Sequence, residues 1–351
     1  MVTRMVELCR DSLTEEQLME AAALLRAGEL VAFPTETVYG LGGNALDPGA
    51  SAKIYAAKGR PSDNPLIVHI ADTAALPVLA RDIPESAMLL AKRFWPGPMT
   101  LILKKQDIVP KETTGGLDTV AIRMPSDPIA AMLIRVSGLY IAAPSANASG
   151  RPSTTKAQHV YEDLNGRIPM ILDGGSSAIG LESTIIDLTG EKPMILRPGY
   201  ISIEDVKEIL PDVLYDPAVL KRERNDTIVA KAPGMKYRHY APKGELTIFE
   251  GALSDVVEAV RAHALEKVNQ GCCVAILASE ETKDSYEGYN VYSVGDREDE
   301  AGIAARLFDT LREFDRMGAD YIFGECFNTE GVGQAVMNRL VKAAGYHIET
   351  V

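Results

Sequence analysis

Apolar residues alternate between helical spacing and short continuous runs through the first two hundred residues. A capping box at Thr14 and Gln17 precedes apolar side chains at helical spacing, and this pattern ends at Gly28. The next apolar run, residues 30–33, is too short for a helix and stops at Pro34. It predicts a buried strand followed by a loop, and the same alternation continues to about residue 210.

The strands predicted in this region are numerous enough to form one large sheet. Short apolar runs predict strands at residues 66–70, 99–103, 120–124, 139–143, 171–172, 185–188 and 195–196. Helical spacing predicts helices at residues 47–58, 85–94, 127–136 and 202–210. So many strands in one unit predict an α/β fold with a single large twisted sheet and helices packed on it.

The periodic pattern stops between residues 211 and 243 and returns in a smaller unit. Strands are predicted there at residues 246–249, 273–277, 291–294 and 321–323, with helices at 255–268, 301–317 and 332–344. This βαβ order predicts a smaller α/β domain with a partly parallel sheet. We therefore divide the chain into a first domain at residues 11–205, a linker at 206–244 and a second domain at 245–351.

The linker ends in a segment, residues 231–242, whose composition is unusual for a spacer. It holds two tyrosines, a histidine and three cations among prolines and a glycine. Two interpretations remain open: a semi-rigid spacer with stray aromatic residues, or a segment that contacts a ligand.

The charge of the chain is acidic and unevenly distributed. The formal net charge is −13; residues 1–200 carry 19 basic and 22 acidic residues, and residues 201–351 carry 17 and 27. An acidic total argues against strong nonspecific nucleic-acid binding, which depends on cations that neutralise phosphates. A local basic pocket for an anionic ligand is still compatible with the nearly neutral first domain.

Cysteine and histidine usage argues against a metal site or a disulfide framework. The four cysteines form no C-x-x-C pair, and the five histidines lie far apart. The beginning of the chain has no apolar core of signal-peptide length, and no stretch approaches the roughly 20 apolar residues of a membrane span. We expect a cytoplasmic protein with reduced thiols, no bound structural metal and no membrane segment.

Two segments rich in glycine or cations follow predicted elements in the first domain. Residues 34–45 come directly after a strand, where α/β sheets place ligand loops, although a tight turn explains their three glycines equally well. Lys58 and Arg60 flank a glycine at the end of a helix, and two prolines follow. Two cations on a rigid turn suit a triphosphate, but capping of the helix C-terminus is an equal alternative.

Further polar residues interrupt or follow buried strands. Arg123 lies in an apolar strand, where a charge is costly unless it meets a protein carboxylate or binds an anion. Residues 142–153 bring small hydroxyl and amide side chains after a strand, and residues 182–184 and Arg197 add more. No Cys/His or Ser/His/Asp nucleophile set is present. The set favours a site for phosphate and carboxylate groups that acts by positioning and charge stabilisation.

Together these segments resemble a known enzyme family. PTETVYGL, KGRPSDNPL, TVAIRMP, APSANASGRPS and STIIDL…ILRPG, in that order, are similar to the YrdC-like domain of the L-threonylcarbamoyladenylate synthases. APGMKYRHYAP resembles the interdomain linker of the two-domain form, and GVGQAVMNRLVKAA resembles its C-terminal domain. The resemblance implies a large twisted mixed sheet of the YrdC-like type with flanking helices, and a smaller βαβ (Rossmann-like) C-terminal domain.

The resemblance also implies the reaction and the site. Such enzymes convert L-threonine, bicarbonate or CO2, and ATP with Mg²⁺ into threonylcarbamoyl-AMP and pyrophosphate. The product goes to a separate transferase complex that modifies tRNA. By motif position, the L-threonine pocket would comprise Thr35, His69, Arg123, Ala143 and Ser183. The ATP site would comprise Lys58, Arg60, Asn64, Thr119, Ser145, Ser153 and Arg197. A linker tyrosine, Tyr240 or else Tyr237, would complete it. Lys58 and Arg60 would act on the triphosphate during catalysis.

Three alternatives remain open. An RNA-binding or assembly module of the same fold would bind tRNA directly in a salt-sensitive way, and the acidic charge argues against this as the main activity. A carbamoyl-adenylating enzyme of hydrogenase maturation would carry zinc fingers, and the chain has no C-x-x-C to build them. An inactive relative of the same fold would not be expected to keep the KGR, SAN and STI segments.

Overall fold

A computed structural model of the chain describes residues 2–220, 231–233 and 239–351. The charge run at 221–226 and Tyr237 therefore lie outside the described residues. Close contacts divide the described chain into two compact units. The first comprises residues 2–149, 153–220 and 231–233, and the second comprises residues 150–152 and 239–351. Residues 206–220 and 231–233, which the sequence analysis assigns to the linker, thus group with the first unit.

The first unit combines a twelve-stranded sheet with helices. Its strands are β1 Arg4–Glu7, β2 Val31–Phe33, β3 Gly40–Asn44, β4 Ile67–His69, β5 Ala80–Arg81, β6 Met99–Lys105, β7 Thr119–Arg123, β8 Ile141–Ala142, β9 Met170–Asp173, β10 Thr184–Asp187, β11 Met194–Arg197 and β12 Leu214–Tyr215. Its helices are α1 Met19–Arg26, α2 Pro48–Lys58, α3 Leu76–Leu79, α4 Glu85–Phe94, α5 Pro128–Ser137, α6 Ala157–Leu164, α7 Ile203–Lys207 and α8 Pro217–Leu220. β12 and α8 occur where the sequence predicts no element, because elements of two and four residues are too short to show a period.

The large sheet is mixed, as the resemblance implies. Its strand order is β1-β9-β2-β3-β8-β4-β7-β6-β10-β11-β12, and β5 pairs with β6. β4 runs parallel to β7, and β10 runs parallel to β6, whereas the β6/β7, β4/β8 and β10/β11 pairs are antiparallel. The last residues of β4, β7 and β11 therefore lie at the same end of the sheet as the first residues of β6 and β10.

Helix ends follow the predicted sequence signals closely in α2 and less closely in α1. Asp47 caps α2 by accepting a hydrogen bond from the Gly49 amide at 2.8 Å, and the helix ends at Gly59, whose φ is 63°. The Gln17 side chain accepts from the Thr14 amide at 2.9 Å, half of the predicted capping box. A short 3₁₀ turn follows, so that α1 begins only at Met19.

The glycine-rich segment forms strand β3 and not the predicted loop. Its burial explains the glycines, because neighbouring side chains occupy the space where a Cβ would stand. A Cβ on Gly42 would lie 2.7 Å from the Phe33 ring and 2.8 Å from the Ile141 side chain. Glycine lets β3 pass close to its neighbours in the sheet. The prediction of a loop throughout residues 34–45 was therefore wrong from Gly40 onward.

The two faces of the central strands pack against different apolar clusters. Side chains alternate between faces along a strand. On one face, Val68, Leu101 and Ile122 belong to the main apolar core. On the other, a smaller apolar cluster is buried around Ile67 and Ala232, and it also includes Ile102, Ala121, Ile185 and Leu196. We call this second face the site face, because the polar residues described below share it.

The second unit is built on a parallel sheet. Its strands are β13 Glu245–Glu250, β14 Val274–Ala278, β15 Asn290–Ser293, β16 Tyr321–Glu325 and β17 Ile348–Thr350, in the order β15-β14-β16-β13-β17. Its helices are α9 Leu253–Asn269, α10 Glu300–Met317 and α11 Gly333–Ala343. All four strand pairings are parallel, which confirms and extends the prediction of a partly parallel sheet. Its Rossmann-like classification stays a prediction.

A buried acidic residue connects the strand ends of the second unit. Glu325 is 1% exposed at the end of β16. Its Oε1 accepts from the Tyr286 hydroxyl at 2.9 Å, and its Oε2 accepts from Arg297 at 2.7 Å and from Ser279 at 3.2 Å. The network compensates the buried charge with donors on both oxygens. In the described part of the chain, no helix has the length and apolar character needed to cross a membrane.

Candidate active site

Polar side chains form a row across the central strands of the large sheet. His69 on β4 is the register partner of Arg123 on β7, and Arg123 is the partner of Thr100 on β6. Ile185 on β10 pairs with Thr100 on one side and with Arg197 on the other. Because register partners point to the same face of a sheet, His69, Arg123, Thr100 and Ile185 share the site face. The β10/β11 register shifts after Ile185, and hydrogen bonds from Arg197 to Ser183 bring the Arg197 side chain to the same row. The structure thus gathers three residues predicted from sequence, His69, Arg123 and Arg197.

Ser183 lies directly before β10 and is held by the same row. Arg197 donates from Nε to the Ser183 carbonyl at 3.0 Å and from Nη2 to its hydroxyl at 3.1 Å. The Ser183 hydroxyl shares a hydrogen bond of 2.7 Å with the Thr100 hydroxyl. All three side chains are buried. Thr100 is absent from the sequence prediction, although a lone threonine in an apolar strand is the same kind of signal that identifies Arg123.

Arg123 forms an ion pair with a carboxylate that the sequence analysis missed. Its Nη2 lies 2.7 Å from Oε1 of Glu36, and its Nε donates to the Gly97 carbonyl at 3.4 Å. Burial, the largest single influence, raises the pKa of Glu36, but the Arg123 charge, a hydrogen bond with Arg123 and the backbone amides of Glu36 and Ser126 together outweigh it and hold the pKa below its usual range. Of the two sequence alternatives for Arg123, the structure therefore shows the protein carboxylate.

His69 is neutral at physiological pH. Burial, followed by the nearby Arg123 charge, lowers the pKa of His69 to about 3. Its Nδ1 lies 3.1 Å from the Ile67 carbonyl oxygen, which can only accept, so Nδ1 carries the hydrogen and Nε2 is left as an acceptor. The Phe33 ring stands edge-on to the imidazole, with ring centroids 6.2 Å apart. His69 thus offers a fixed acceptor beside Arg123.

Two predicted pocket residues help to shape the chain around the site. The Thr35 hydroxyl donates to the Val38 carbonyl at 2.6 Å and accepts from the amides of Thr37 and Val38, each at 3.2 Å. Such bonds fix a local turn. The Ala143 amide donates to the Ile67 carbonyl at 2.9 Å, two residues before His69. Their predicted contacts with a substrate stay predictions.

The two cations at the end of α2 bind backbone carbonyls. Lys58 is 3% exposed, and its Nζ donates to the carbonyls of Ser145 and Asn147. Arg60 donates from Nη2 to the carbonyls of Asn64 at 3.3 Å and Pro65 at 3.1 Å. Lys58 therefore connects the end of α2 to the loop after β8 by hydrogen bonds, and Arg60 stabilises the turn that leads into β4.

The other predicted nucleotide residues surround these loops. Thr119 begins β7 on the same face as Arg123, and four residues of strand separate them by about 13 Å. Asn64 is 2% exposed, and its Oδ1 has no partner among the described residues. Ser145 donates to the Asn147 side chain at 2.5 Å, and Ser153 donates to Glu182.

The linker contributes residues to both units. In the first unit, Lys231 pairs with Asp187 at 3.0 Å, Ala232 is fully buried in the apolar cluster of the site face, and the Pro233 carbonyl accepts from Arg197 Nη1 at 3.4 Å. None of these contacts was predictable from the periodicity of the linker.

Tyr240 belongs to the second unit, where it is 5% exposed. Its ring stacks on Phe308 with centroids 5.2 Å apart, and the Arg339 guanidinium lies 5.8 Å from its centroid. Its predicted closure over ATP stays a prediction, and the alternative, Tyr237, lies outside the described residues.

Comparisons with known proteins agree along the whole chain. A family profile described as telomere recombination (Sua5, YciO and YrdC proteins) matches residues 23–199, and the profile of the threonylcarbamoyl-AMP synthase C-terminal domain matches residues 201–345. The chain is 50% identical to the threonylcarbamoyl-AMP synthase of Pyrococcus abyssi over 339 residues, which cover 97% of each chain. It is 50% identical to that of Bacillus subtilis over 336 residues, which cover 95% of this chain and 94% of the relative.

A solved structure shares both the sequence similarity and the fold. The crystal structure of P. abyssi Sua5 complexed with L-threonine superimposes with a TM-score of 0.93 at 48% identity, and the match covers 99% of this chain and 100% of the other. Two family profiles, two full-length relatives and one full-length structure therefore lead to the same conclusion. This chain is a member of the two-domain Sua5 family of threonylcarbamoyl-AMP synthases.

Proposed function

We propose that this protein forms threonylcarbamoyl-AMP and pyrophosphate from L-threonine, bicarbonate or CO2, and ATP, which makes it a nucleotidyltransferase. The observation that carries the proposal is the row of His69, Arg123, Thr100 with Ser183, and Arg197 on one face of the sheet. The row offers a carboxylate-binding cation, a neutral acceptor and oriented hydroxyls within one small area. These are the groups that a small hydroxy amino acid requires.

Each predicted residue has a role in this proposal. Arg123 binds the threonine carboxylate, His69 Nε2 accepts from the threonine hydroxyl, and Ser183 orients the amino acid from the other side. Ala143 and the Thr35 turn form the wall of the pocket. The ATP site comprises Lys58, Arg60, Asn64, Thr119, Ser145, Ser153 and Arg197, with Lys58 and Arg60 acting on the triphosphate, and Tyr240 closes the nucleotide site.

The proposed reaction has two steps. The threonine amine adds to bicarbonate or CO2 and gives a carbamate, and a carbamate oxygen then attacks the α-phosphorus of ATP while pyrophosphate leaves. A threonylcarbamate is short-lived in water, so a covered site face protects it. Ala232, buried over the apolar cluster of that face, supports such a cover. The cations act through positioning and charge stabilisation.

Magnesium and the partners complete the proposal. In the described residues, no three His, Cys, Asp or Glu side chains group in a way that could hold a metal ion. Mg²⁺ would therefore arrive on the phosphate oxygens of ATP, where it supplies charge neutralisation. The product would pass to a separate tRNA threonylcarbamoyl transferase complex in the cytoplasm. A nucleic-acid-binding role as the main activity is not favoured by the comparisons.

The test is pyrophosphate release from ATP in bicarbonate buffer with L-threonine, with L-serine, or with no amino acid. We expect release that depends on threonine, stops with EDTA and drops strongly in Arg60→Ala and Lys58→Ala. Lys53→Ala is the matched control, because Lys53 lies on the same helix, pairs with Glu29 at 2.7 Å and is half exposed. Threonine-independent release, or tRNA binding without release, would refute the proposal.

A further inference from the structure

The Glu36 carboxylate lies inside the candidate site without an assigned task. Its side chain is 11% exposed. Its close side-chain partner is Arg123, whose Nη2 lies 2.7 Å from Oε1, and the backbone amides of Glu36 and Ser126 also lower its pKa. Arg123 is the charged group in this set, so a ligand carboxylate that took the place of Glu36 on Arg123 would leave a buried anion without its cation. Glu36 would then require a second cation.

The substrate supplies such a cation. An α-amino acid carries its carboxylate and its ammonium group on the same carbon atom. If Arg123 binds the carboxylate, the ammonium group comes to rest within one or two bond lengths of the position that Glu36 now occupies. An ammonium ion buried without an anion would be costly. Among the described residues, Glu36 is the carboxylate that forms an ion pair with Arg123.

We propose that Glu36 binds the α-ammonium group of L-threonine and accepts its proton when the carbamate forms. This inference rests on the proposed function, and it assigns a catalytic residue to the first of the two steps. In the structure Glu36 forms an ion pair with Arg123, where the proposed function places the substrate carboxylate. When threonine binds, one carboxylate replaces another on Arg123, and Glu36 turns to the ammonium group.

This exchange changes the basicity of Glu36. Burial raises its pKa, and the Arg123 charge, the Arg123 hydrogen bond and the backbone amides of Glu36 and Ser126 together lower it by more. Once the substrate carboxylate neutralises Arg123, burial has more influence and the pKa of Glu36 rises. Substrate binding thus converts a non-basic anion into a proton acceptor. After the transfer, a neutral acid faces a neutral amine, which a site of low dielectric favours over two charges.

The step is balanced with bicarbonate as the carbon donor. The threonine ammonium group gives one proton to the Glu36 carboxylate, and the free amine attacks the bicarbonate carbon. A C–N bond forms, a C–O bond breaks, and water leaves, so that a carbamate anion and a protonated Glu36 remain. Glu36 then returns its proton to solvent after the product leaves. No oxidant or reductant takes part.

The other groups that face Glu36 cannot accept this proton. Arg123 on β7 keeps its own proton throughout the physiological range. His69 on β4 is held neutral by burial and by Arg123, and its pKa of about 3 makes it a far weaker base than the amine. In the described part of the site, Glu36 is thus the residue with both the position and the charge for the task.

The first experiment compares two ligands by calorimetry. 3-Hydroxybutyrate is threonine without its amine, so it must displace Glu36 from Arg123 without offering an ammonium group in return. In Glu36→Gln we expect threonine to bind about 10- to 100-fold more weakly, and 3-hydroxybutyrate to bind as well as or better than in the wild type. The preference for threonine over 3-hydroxybutyrate thus falls, which a merely structural role of Glu36 would not cause.

The second experiment measures pyrophosphate release against pH at saturating threonine. Loss of a general base costs on the order of 100-fold in rate, so Glu36→Gln is expected to turn over about 100-fold more slowly near neutral pH. Its rate should then rise with pH as free threonine loses its own proton, more steeply than in the wild type. Asp127→Asn is the matched control, since Asp127 is 3% exposed and pairs with Arg10 at 2.9 Å. It should leave both the ligand preference and the pH profile unchanged.

The outcomes separate this inference from the proposed function. If the wild-type protein shows no threonine-dependent release of pyrophosphate, the proposed function itself is refuted. Wild-type release together with an unchanged ligand preference and pH profile in Glu36→Gln would overturn the role of Glu36 alone. If Glu36→Gln does not fold, Glu36→Asp takes its place, because it keeps the anion. Glu36→Asp should retain the preference for threonine at a lower turnover, and loss of that preference with full turnover would overturn the inference.

Discussion

Removal of the Arg123 guanidinium should destabilise the first unit in a pH-dependent way. Arg123→Met keeps an unbranched apolar side chain in the strand but leaves the Glu36 carboxylate buried without its partner. Arg123 is 4% exposed and the Glu36 side chain 11% exposed, so solvent screens this pair weakly. Breaking a buried pair by removing one partner costs about 3–5 kcal/mol. We expect a loss of about 3 kcal/mol near pH 8, since Glu36 keeps some contact with water.

The loss should shrink as the pH falls. In the wild type the pKa of Glu36 is depressed, so the pair stabilises the fold above the unfolded pKa and loses this effect as the pH drops through the folded value. In Arg123→Met the Arg123 charge and hydrogen bond are lost and only the backbone amides of Glu36 and Ser126 oppose burial, so burial, the largest influence, raises the folded pKa and protonation favours the folded state. Each unit of that rise is worth about 1.4 kcal/mol. The variant should therefore be closer to the wild type at pH 5 than at pH 8.

The single tryptophan of the chain provides the assay. Trp95 is 8% exposed in the first unit, and its indole nitrogen donates to the Met99 carbonyl at 2.7 Å. Its fluorescence during urea unfolding therefore reports on the unit that holds the ion pair, without interference from the second unit. Unfolding curves at pH 5 and pH 8 give the free energy of unfolding for each variant.

A double variant supplies the decisive comparison. Arg123→Met with Glu36→Gln removes both charges, so it should lose less than the sum of the two single variants, by about 2 kcal/mol or more. Equal losses for Arg123→Met at pH 5 and pH 8 would refute the reasoning. Strict additivity in the double variant would do the same, because it would mean that the two side chains do not interact in the folded protein.

Two further predictions concern hydroxyl groups in the two units. Thr100→Val keeps the shape of the side chain but removes its bond to Ser183, so the KM for threonine in pyrophosphate release should rise by about 3- to 10-fold; an unchanged KM would mean that Arg197 alone orients Ser183. Tyr286→Phe leaves Glu325 Oε1 without its donor and should lower the stability of the second unit by about 1–3 kcal/mol in a thermal unfolding experiment followed by circular dichroism. Tyr321→Phe is the matched control, and an equal loss in both variants would contradict the assigned bond.

The order of strands and helices was predictable because it depends on local patterns. In the second unit, the predicted helix at 301–317 is α10 at Glu300–Met317, and the predicted strand at 246–249 is β13 at Glu245–Glu250. Both elements are long and have a clear period or apolar run. The prediction for residues 40–44 was wrong for the opposite reason. Their glycines give no apolar pattern, and neighbours far along the chain bury them.

The site was predictable where a residue conflicts with its surroundings. A charge in the apolar strand TVAIR had to have a partner, and Arg123 has one. The identity of that partner was not predictable, because Glu36 lies 87 residues earlier and only the sheet brings the two together. Lys58 shows the same limit. Its charge predicts a phosphate contact or a helix cap, and its bonds to the loop carbonyls at 145–147 could not be predicted from the sequence, while its contact with a phosphate stays a prediction.

Strand β3 packs tightly against its neighbour β2 in the sheet, and this has a consequence for substrate choice. A Cβ at Gly42 would stand 2.7 Å from the Phe33 ring, and that ring stands edge-on to His69. Any side chain added at Gly42 would press on Phe33 and through it on the imidazole proposed to meet the threonine hydroxyl. If the His69 imidazole meets the threonine hydroxyl as proposed, its position depends partly on Gly42, a residue outside the proposed binding set. A glycine buried between two strands would thus restrict the site without being one of its contacts.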